Sequence, residues 1–260
     1  MKLVVAGCMG RMGSTLMHYI AGANDATLVG GAALAGHHPE ANRRYGALNA
    51  LIKEDVRELL AQADGVIDFT VPEYSIAIAK ACAEQQKVHV CGTTGFDAEQ
   101  LEEFYSHAHT AKIVHAPNMS IAVNLFMSLV EQAAHILDDE FDIEIVEMHH
   151  RFKVDAPSGT ALGLGRAAAK GRGVDLDAVA QRGRDRITGQ RQKGAIGFAA
   201  LRGGDVVGDH TVTFAGMGER FELTHKASSR DIYARGAVKA AIWAHAQPAG
   251  IYTMNDVLGL

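Results

Sequence analysis

Leu3-Val4-Val5-Ala6-Gly7-Cys8-Met9-Gly10-Arg11-Met12-Gly13 is the stretch that decides how the first half of the chain is read. Its four leading apolar residues suit a short buried strand. A Gly-x-x-Gly-x-x-Gly run follows at once, and a helical pattern continues to about residue 21. The run is a variant of the dinucleotide fingerprint. Glycine there allows the tight turn, the close approach of a pyrophosphate, and the packing of helix on strand. Cofactor contact is therefore expected at Gly7, Cys8, Met9, Gly10, Arg11, Met12 and Gly13. Glycine loops also join strands to helices where nothing binds, so the rest of the chain has to decide.

Residues 27–33, 65–69, 87–91 and 112–116 read as further strands, and residues 55–62 and 97–109 as helices. Another helix opens at Pro72, a favoured residue for a first turn. Strand and helix alternate throughout. The expected fold class is α/β, with an N-terminal Rossmann-type doubly wound parallel sheet. Ligands of such sheets sit at the carboxyl ends of the strands. Beyond the glycine loop, those ends are Phe69 and Thr70, then Gly92, Thr93 and Thr94, then Ala116, Pro117, Asn118 and Met119. Many such folds place an acidic residue after the second strand, to bind ribose hydroxyls. Here the chain reads Leu34-Ala35-Gly36-His37-His38-Pro39, and the first carboxylate is Glu40.

The second half changes character. Residues 120–137 read as a long helix whose stripe is expected through Ile121, Leu125, Leu129, Ala133 and Ile136. In the strand that follows, Ile143, Ile145, Glu147 and His149 fall on one side, and Glu144, Val146, Met148 and His150 on the other. It leads into His149-His150-Arg151-Phe152-Lys153-Val154-Asp155-Ala156-Pro157-Ser158-Gly159-Thr160. Ser158 and Thr160 can cap a helix whose first N–H groups point outward, a site suited to an anion. One loop thus offers an imidazole, an ammonium and a carboxylate cradle. Residues 171–194 read as a polar, solvated and partly mobile loop. Strands are expected at 196–202, 206–214 and 220–226, the last two joined across Ala215-Gly216-Met217-Gly218 as a hairpin. Strands joined that way cannot extend a βαβ sheet, so a second, α+β domain with a mixed sheet is expected. Residues 231–246 return to a helical pattern.

Composition narrows the function classes. The chain has 260 residues, of which 48% are hydrophobic, enough for one large core or two smaller ones. A net charge of −5 gives no global bias towards nucleic acid or membrane. The arginine-rich residues 171–194 lack interleaved aromatics and are diluted by Asp175, Asp177 and Asp185, so no nucleic-acid partner is expected. Three cysteines without a CxxC pair suggest reduced thiols and a cytoplasmic setting. The apolar start is too brief for a secretion signal. The longest apolar run, 121–137, is broken by Asn124 and Glu131, so no membrane span is expected. No metal is expected either. His107 and His109 diverge on a helix, His149 and His150 point to opposite faces of a strand, and no carboxylate or cysteine cluster completes a site.

The histidine stretch closely resembles the signature of the dihydrodipicolinate reductase family. Similarity extends over nearly the full length, through residues 7–13, Asp68-Phe69-Thr70 with Pro72, Gly92-Thr93-Thr94-Gly95 and residues 118–124. It continues in residues 202–210 and in His225-Lys226-Ala227-Ser228-Ser229-Arg230. The resemblance implies a domain of residues 1–119 with 231–260 that binds NADH or NADPH. It implies a second domain, 120–230, that binds substrate and builds a homotetramer. The family reduces the cyclic dicarboxylate 4-hydroxy-tetrahydrodipicolinate, via dihydrodipicolinate, to tetrahydrodipicolinate in lysine and diaminopimelate biosynthesis. On that basis His149 and Lys153 are the expected catalytic residues. His150, Ser158, Gly159, Thr160, Thr94 and Arg230 are the expected substrate contacts. NADPH is expected to be slightly favoured, because no acid follows the second strand and Arg11, Arg43 and Arg44 are cationic. Another two-domain dehydrogenase of aspartate-family metabolism would explain the first half but not the histidine loop. A silent dinucleotide sensor would have no need to keep that loop.

Overall fold

The computed structural model describes residues 1–48 and 50–260, without the side chain of His38. In chain order the first elements are β1 (Lys2–Ala6), α1 (Arg11–Ala21), β2 (Thr27–Ala32), α2 (His38–Tyr45), β3 (Leu51–Lys53), α3 (Val56–Leu60) and β4 (Gly65–Asp68). Next come α4 (Pro72–Gln85), β5 (Val88–Cys91), α5 (Ala98–Ser106), β6 (Lys112–His115), α6 (Ile121–Ile136), β7 (Asp142–His149) and α7 (Gly159–Arg172). The chain continues through α8 (Leu176–Val179), β8 (Ala180–Arg182), β9 (Ile196–Arg202), β10 (Gly208–Ala215) and β11 (Arg220–Ala227). It ends with α9 (Asp231–His245), β12 (Gly250–Tyr252) and α10 (Met254–Leu258). Two compact units result: Met1–Ile121 with Arg230–Leu260, and Ala122–Ser229.

The first unit holds a seven-stranded sheet in the order β12-β6-β5-β4-β1-β2-β3, parallel throughout. The period of two in β1 shows why it is covered on both faces. Leu3 and Val5 pack with Leu16 and Met17 of α1 and with Ala237 and Ala241 of α9. Val4 and Ala6 pack on the opposite face with Leu59, Ile78 and Phe104. Each fully buried Val, Leu, Ile, Met or Phe among them contributes roughly 1.5–3 kcal/mol. Both edge strands, β3 and β12, went unread in the sequence. At three residues each they carry no period, and only pairing with β2 and β6 makes them strands.

The second unit holds a five-stranded mixed sheet in the order β11-β10-β7-β9-β8. β10 runs antiparallel to β7 and β11, while β9 runs parallel to β7 and β8. One face packs Ile143, Ile145, Ile196, Phe198, Val212 and Phe214 against α6 and α7. The other leaves Val146 and Leu201 exposed.

Two readings of this half need correction. The buried stripe of α6 is Val123, Phe126, Val130 and Ala134, whereas Leu125, Leu129 and Ile136 are exposed. The helix is apolar nearly all round, so its period did not determine which face the sheet would take. Residues 171–194 are more than a solvated loop. They include α8 and β8, and Arg184 and Arg191 pair with Glu144, Arg191 also with Asp142. The basic run answers the acids of β7.

Candidate active site

β7 turns polar at its carboxyl end. Ile143 and Ile145 face the core, and Glu147 and His149 continue that face, 1% and 8% exposed. Neighbouring strands complete the group. Register puts Arg202 of β9 beside His149, and His210 of β10 opposite Glu147. Glu147 accepts from His149 Nδ1 at 2.6 Å, from both Nη atoms of Arg202 at 2.8 Å, and from the backbone N–H of Ser158 at 3.1 Å. Burial opposes its charge, but the Arg202 and His149 bonds outweigh it and hold the carboxyl below its ordinary value.

Burial pushes the pKa of His149 down, against the pull of Glu147; Lys153 and Arg202 add to the depression. The resting imidazole is neutral at pH 7. With Glu147 ionised, its proton sits on Nδ1 and Nε2 keeps a lone pair. His210, 4% exposed, stacks edge-on against His149 at 5.1 Å, and burial with the nearby His149 lowers it to about 4.

Ser158 caps α7. Its Oγ accepts from the N–H of Ala161 at 3.2 Å and lies 3.1 Å from His210 Nε2. A Cβ added at Gly159 would meet nothing within 4 Å, so the helix N-terminus has open space before it. Lys153 is turned back on its own loop, with Nζ 2.7 and 2.9 Å from the Asp155 oxygens. The loop is braced from behind by bonds from His150 N to Val206 O and from Gly203 N to His149 O. His150 lies just past β7 with its ring near Phe152, and its Nδ1 is buried without a partner.

The structure thus brings His149 and Ser158 together through Glu147, with Lys153 in the same loop. Thr94, exposed, and Arg230, half-buried at the N-cap of α9, belong to the first unit. The sequence reading missed Glu147, Arg202 and His210 as site residues. A signal existed: an acid alternating with Ile145 and His149 on a core-facing strand needs a buried cation.

In the first unit the glycine loop connects β1 to the N-terminus of α1. Gly7 has φ +64°, and a Cβ there would meet Thr70 Cγ2 at 2.8 Å; one on Gly13 would lie 2.1 Å from Gly7 O. The N-cap is Gly10 and the first turn of α1 holds no acid. A cradle only glycine can form, at the positive end of an 11-residue helix, fits a dinucleotide pyrophosphate. Arg11 is exposed, and Met9 and Met12 are half-buried.

Other nominated residues have partners within the first unit. Cys8 is buried, its thiol pushed up to about 11 by burial, its N–H bonded to Ala32 O and its carbonyl to the Tyr45 hydroxyl. Phe69 fills the space a Cβ on Gly92 would take. Thr70 donates its hydroxyl to Asp68, and Thr93 turns its hydroxyl inward. Ala116 and Met119 are buried, Pro117 is exposed, and Asn118 Oδ1 accepts from Ser120 N.

The acid that sequence order withheld from the second strand arrives in space. Glu54, just past β3, accepts from the N–H of Gly36 at 3.2 Å. Among the described residues, Asp68, His89 and Cys91 bring metal-type ligand atoms within 4.8 Å of one another. The Asp68 oxygens already accept from Thr70 and Ser75, and burial pushes Cys91 up to about 12, so the cluster is built as a hydrogen-bond hub.

The chain is similar to known proteins along nearly its whole length. Family models described as dihydrodipicolinate reductase, N-terminus and C-terminus, match residues 1–119 and 122–258. The 4-hydroxy-tetrahydrodipicolinate reductase of Rhodopseudomonas palustris is 52% identical, covering 100% of this chain and 97% of that protein. Its counterpart from Afipia carboxidovorans is 51% identical over the same shares. Among solved structures, a dipicolinate-bound dihydrodipicolinate reductase from Paenisporosarcina sp. TG-14 superposes with a TM-score of 0.76 at 24% identity, over 97% of both chains, a likeness of fold. With both halves matched and relatives at about half identity over its whole length, the chain belongs to the dihydrodipicolinate reductase family.

Proposed function

We propose that this chain reduces 4-hydroxy-tetrahydrodipicolinate, by way of dihydrodipicolinate, to tetrahydrodipicolinate, with the histidine loop as its chemical centre. Family membership makes it an NAD(P)H-dependent oxidoreductase of lysine and diaminopimelate biosynthesis. The observation that carries the assignment of roles is the Glu147–His149 pair beside the capped N-terminus of α7.

One substrate carboxylate is received by the N-terminus of α7 at Ser158, Gly159 and Thr160, where the helix dipole favours an anion. Lys153 exchanges Asp155 for the other. A dianion beside His149 raises the proton affinity of the imidazole. Nε2 therefore takes up a proton on binding and delivers it to the carbon skeleton after reduction, while Glu147 stabilises the imidazolium. His150 helps orient the ring, and Thr94 and Arg230 are proposed as further substrate contacts.

The dinucleotide, when bound, supplies the hydride. Residues 7–13 would hold its pyrophosphate, residues 92–94 and 116–119 would lie near the nicotinamide, and Phe69 and Thr70 are proposed as further cofactor contacts. Both NADH and NADPH are accepted, NADPH the better: Arg11, Arg43 and Arg44 attract a 2′-phosphate, against the opposing charge of Glu54. Copies assemble as a homotetramer through the open face of the second sheet, where Val146 and Leu201 are exposed. Cys8, Cys82 and Cys91 are free and buried, which fits a cytoplasmic setting. No described helix is long and apolar enough to cross a membrane.

The deciding experiment forms the substrate in situ from pyruvate and aspartate semialdehyde and follows NAD(P)H oxidation. Turnover with at least one cofactor is expected. No oxidation of either cofactor by a folded protein overturns the reading.

A further inference from the structure

Asp68 ends β4 with its side chain fully buried, and the sheet register sets it beside Cys91 of β5. Its carboxylate is ringed by donors: Thr70 Oγ1 at 2.6 Å, Ser75 Oγ at 2.5 Å and His89 Nε2 at 3.2 Å. Thr93 Oγ1 stands 3.4 Å from the same carboxylate, takes the N–H of Thr70 at 2.9 Å, and lies 2.9 Å from Ser75 Oγ. Ser75 and His89 are 0% exposed and Thr93 is 2% exposed, so water cannot stand in for these three, while Thr70 is half-buried. A buried carboxylate of this kind costs several kcal/mol of desolvation unless its bonds return it. Nothing in the proton transfer assigned to the histidine loop uses it.

What the bonds accomplish is local and specific. They tie Thr70 to Thr93, so the loop after β4 is bonded directly to the loop after β5. The hydroxyl of Thr70 points to Asp68, and its methyl lies where a Cβ on Gly7 would be, 2.8 Å away, which makes Thr70 the wall of the glycine loop. A further bond between His115 Nε2 and Thr93 O, at 3.2 Å, reaches the end of β6. The loops after β4 and β5 therefore meet at one buried side chain, and the glycine loop packs against the Thr70 that it holds.

We propose that Asp68 is the positioning residue of the dinucleotide site, holding the loops after β1, β4 and β5 in register through the hydroxyls of Thr70, Ser75 and Thr93. This rests on the reading of those loops as the dinucleotide site. The hydroxyls, rather than the shapes of the side chains, carry the effect.

The test measures NADH and NADPH dissociation constants on the full chain by cofactor fluorescence, together with thermal melting and KM for both substrates. Thr93→Val keeps the side-chain shape and removes the oxygen; Thr93→Ser keeps the oxygen. Thr93→Val, Ser75→Ala and Asp68→Asn are each expected to weaken dinucleotide binding about tenfold, the loss of one buried hydrogen bond. Thr93→Ser is expected to bind as the wild type does, and KM for the dicarboxylate is expected to hold in all four. Should Asp68→Asn fail to fold, the Thr93 pair decides. Wild-type-like dissociation constants in folded Thr93→Val and Ser75→Ala, with only the melting temperature lowered, overturn the inference and leave the cofactor reading standing. Failure of the wild-type protein to bind either dinucleotide overturns that reading, and the inference with it.

Discussion

Glu147 Oε2 lies 2.6 Å from Nδ1 of His149, two residues further along the same strand and on the same buried face. The carboxylate fixes which ring nitrogen carries the proton, and Arg202 keeps that carboxylate charged. Replacing Glu147 by Gln leaves a group that can donate as well as accept, so the tautomer is no longer enforced. The expected result is a fall in kcat of about 10²-fold with KM little changed. Glu147 raises the proton affinity of His149, so its loss moves the alkaline limb of the kcat profile, where the donor imidazolium is lost, to lower pH. A pH profile identical to wild type refutes the pairing.

His149→Gln and Lys153→Ala remove the two groups expected to handle the proton and one carboxylate. Each is expected to lower turnover by about 10²–10⁴-fold in a protein that remains folded by circular dichroism. Near-normal turnover in both removes the histidine loop from the chemistry.

Stability is expected to fall with acid in a defined window. The folded-state pKa of His210 is about 4, below an unfolded value of about 6.5. Between those values the unfolded chain binds more protons, so stability rises with pH across the window and is lost as pH drops through it. The contribution is on the order of 3 kcal/mol. His149 and His225 are also shifted down, chiefly by burial, and add to the same trend. Urea unfolding at about pH 7 and about pH 4.5 measures it. His210→Gln should show a smaller difference between the two conditions than wild type; an equal difference assigns the trend elsewhere.

Cofactor choice tests the charges around α2. A kcat/KM for NADPH above that for NADH is expected. Glu54→Gln should widen the preference, and Arg43→Ala with Arg44→Ala should narrow it by about tenfold, the worth of a charge-assisted contact to phosphate. Wild-type kcat/KM for NADH more than about tenfold above NADPH means that the loop after β2 holds ribose hydroxyls instead.

Leu201 is 51% exposed on the open face of the second sheet. A charge there leaves the monomer core untouched, so Leu201→Asp is expected to lower the mass measured by light scattering while the melting curve of the monomer persists. A wild-type protein that is monomeric at micromolar concentration excludes the tetramer.

The sequence alone determined the doubly wound half and the position of the histidine loop. β1, β2, β4, β5 and β6 each carry their own apolar run, and the glycine spacing of residues 7–13 and the cap at Ser158 are local properties of consecutive residues. What it left open depends on partners. β3 and β12 are too short to signal themselves, and α6 offers apolar residues on more than one face. Glu54 reaches the end of β2 only because β3 pairs there. The Glu147 site is of the same kind, since Arg202 is 55 residues away along the chain and becomes a neighbour only when β9 joins β7. A residue's periodicity states which face of its own element it occupies. Which element covers that face is settled by packing of the whole sheet, where buried charges must find their counter-charges or not be buried at all.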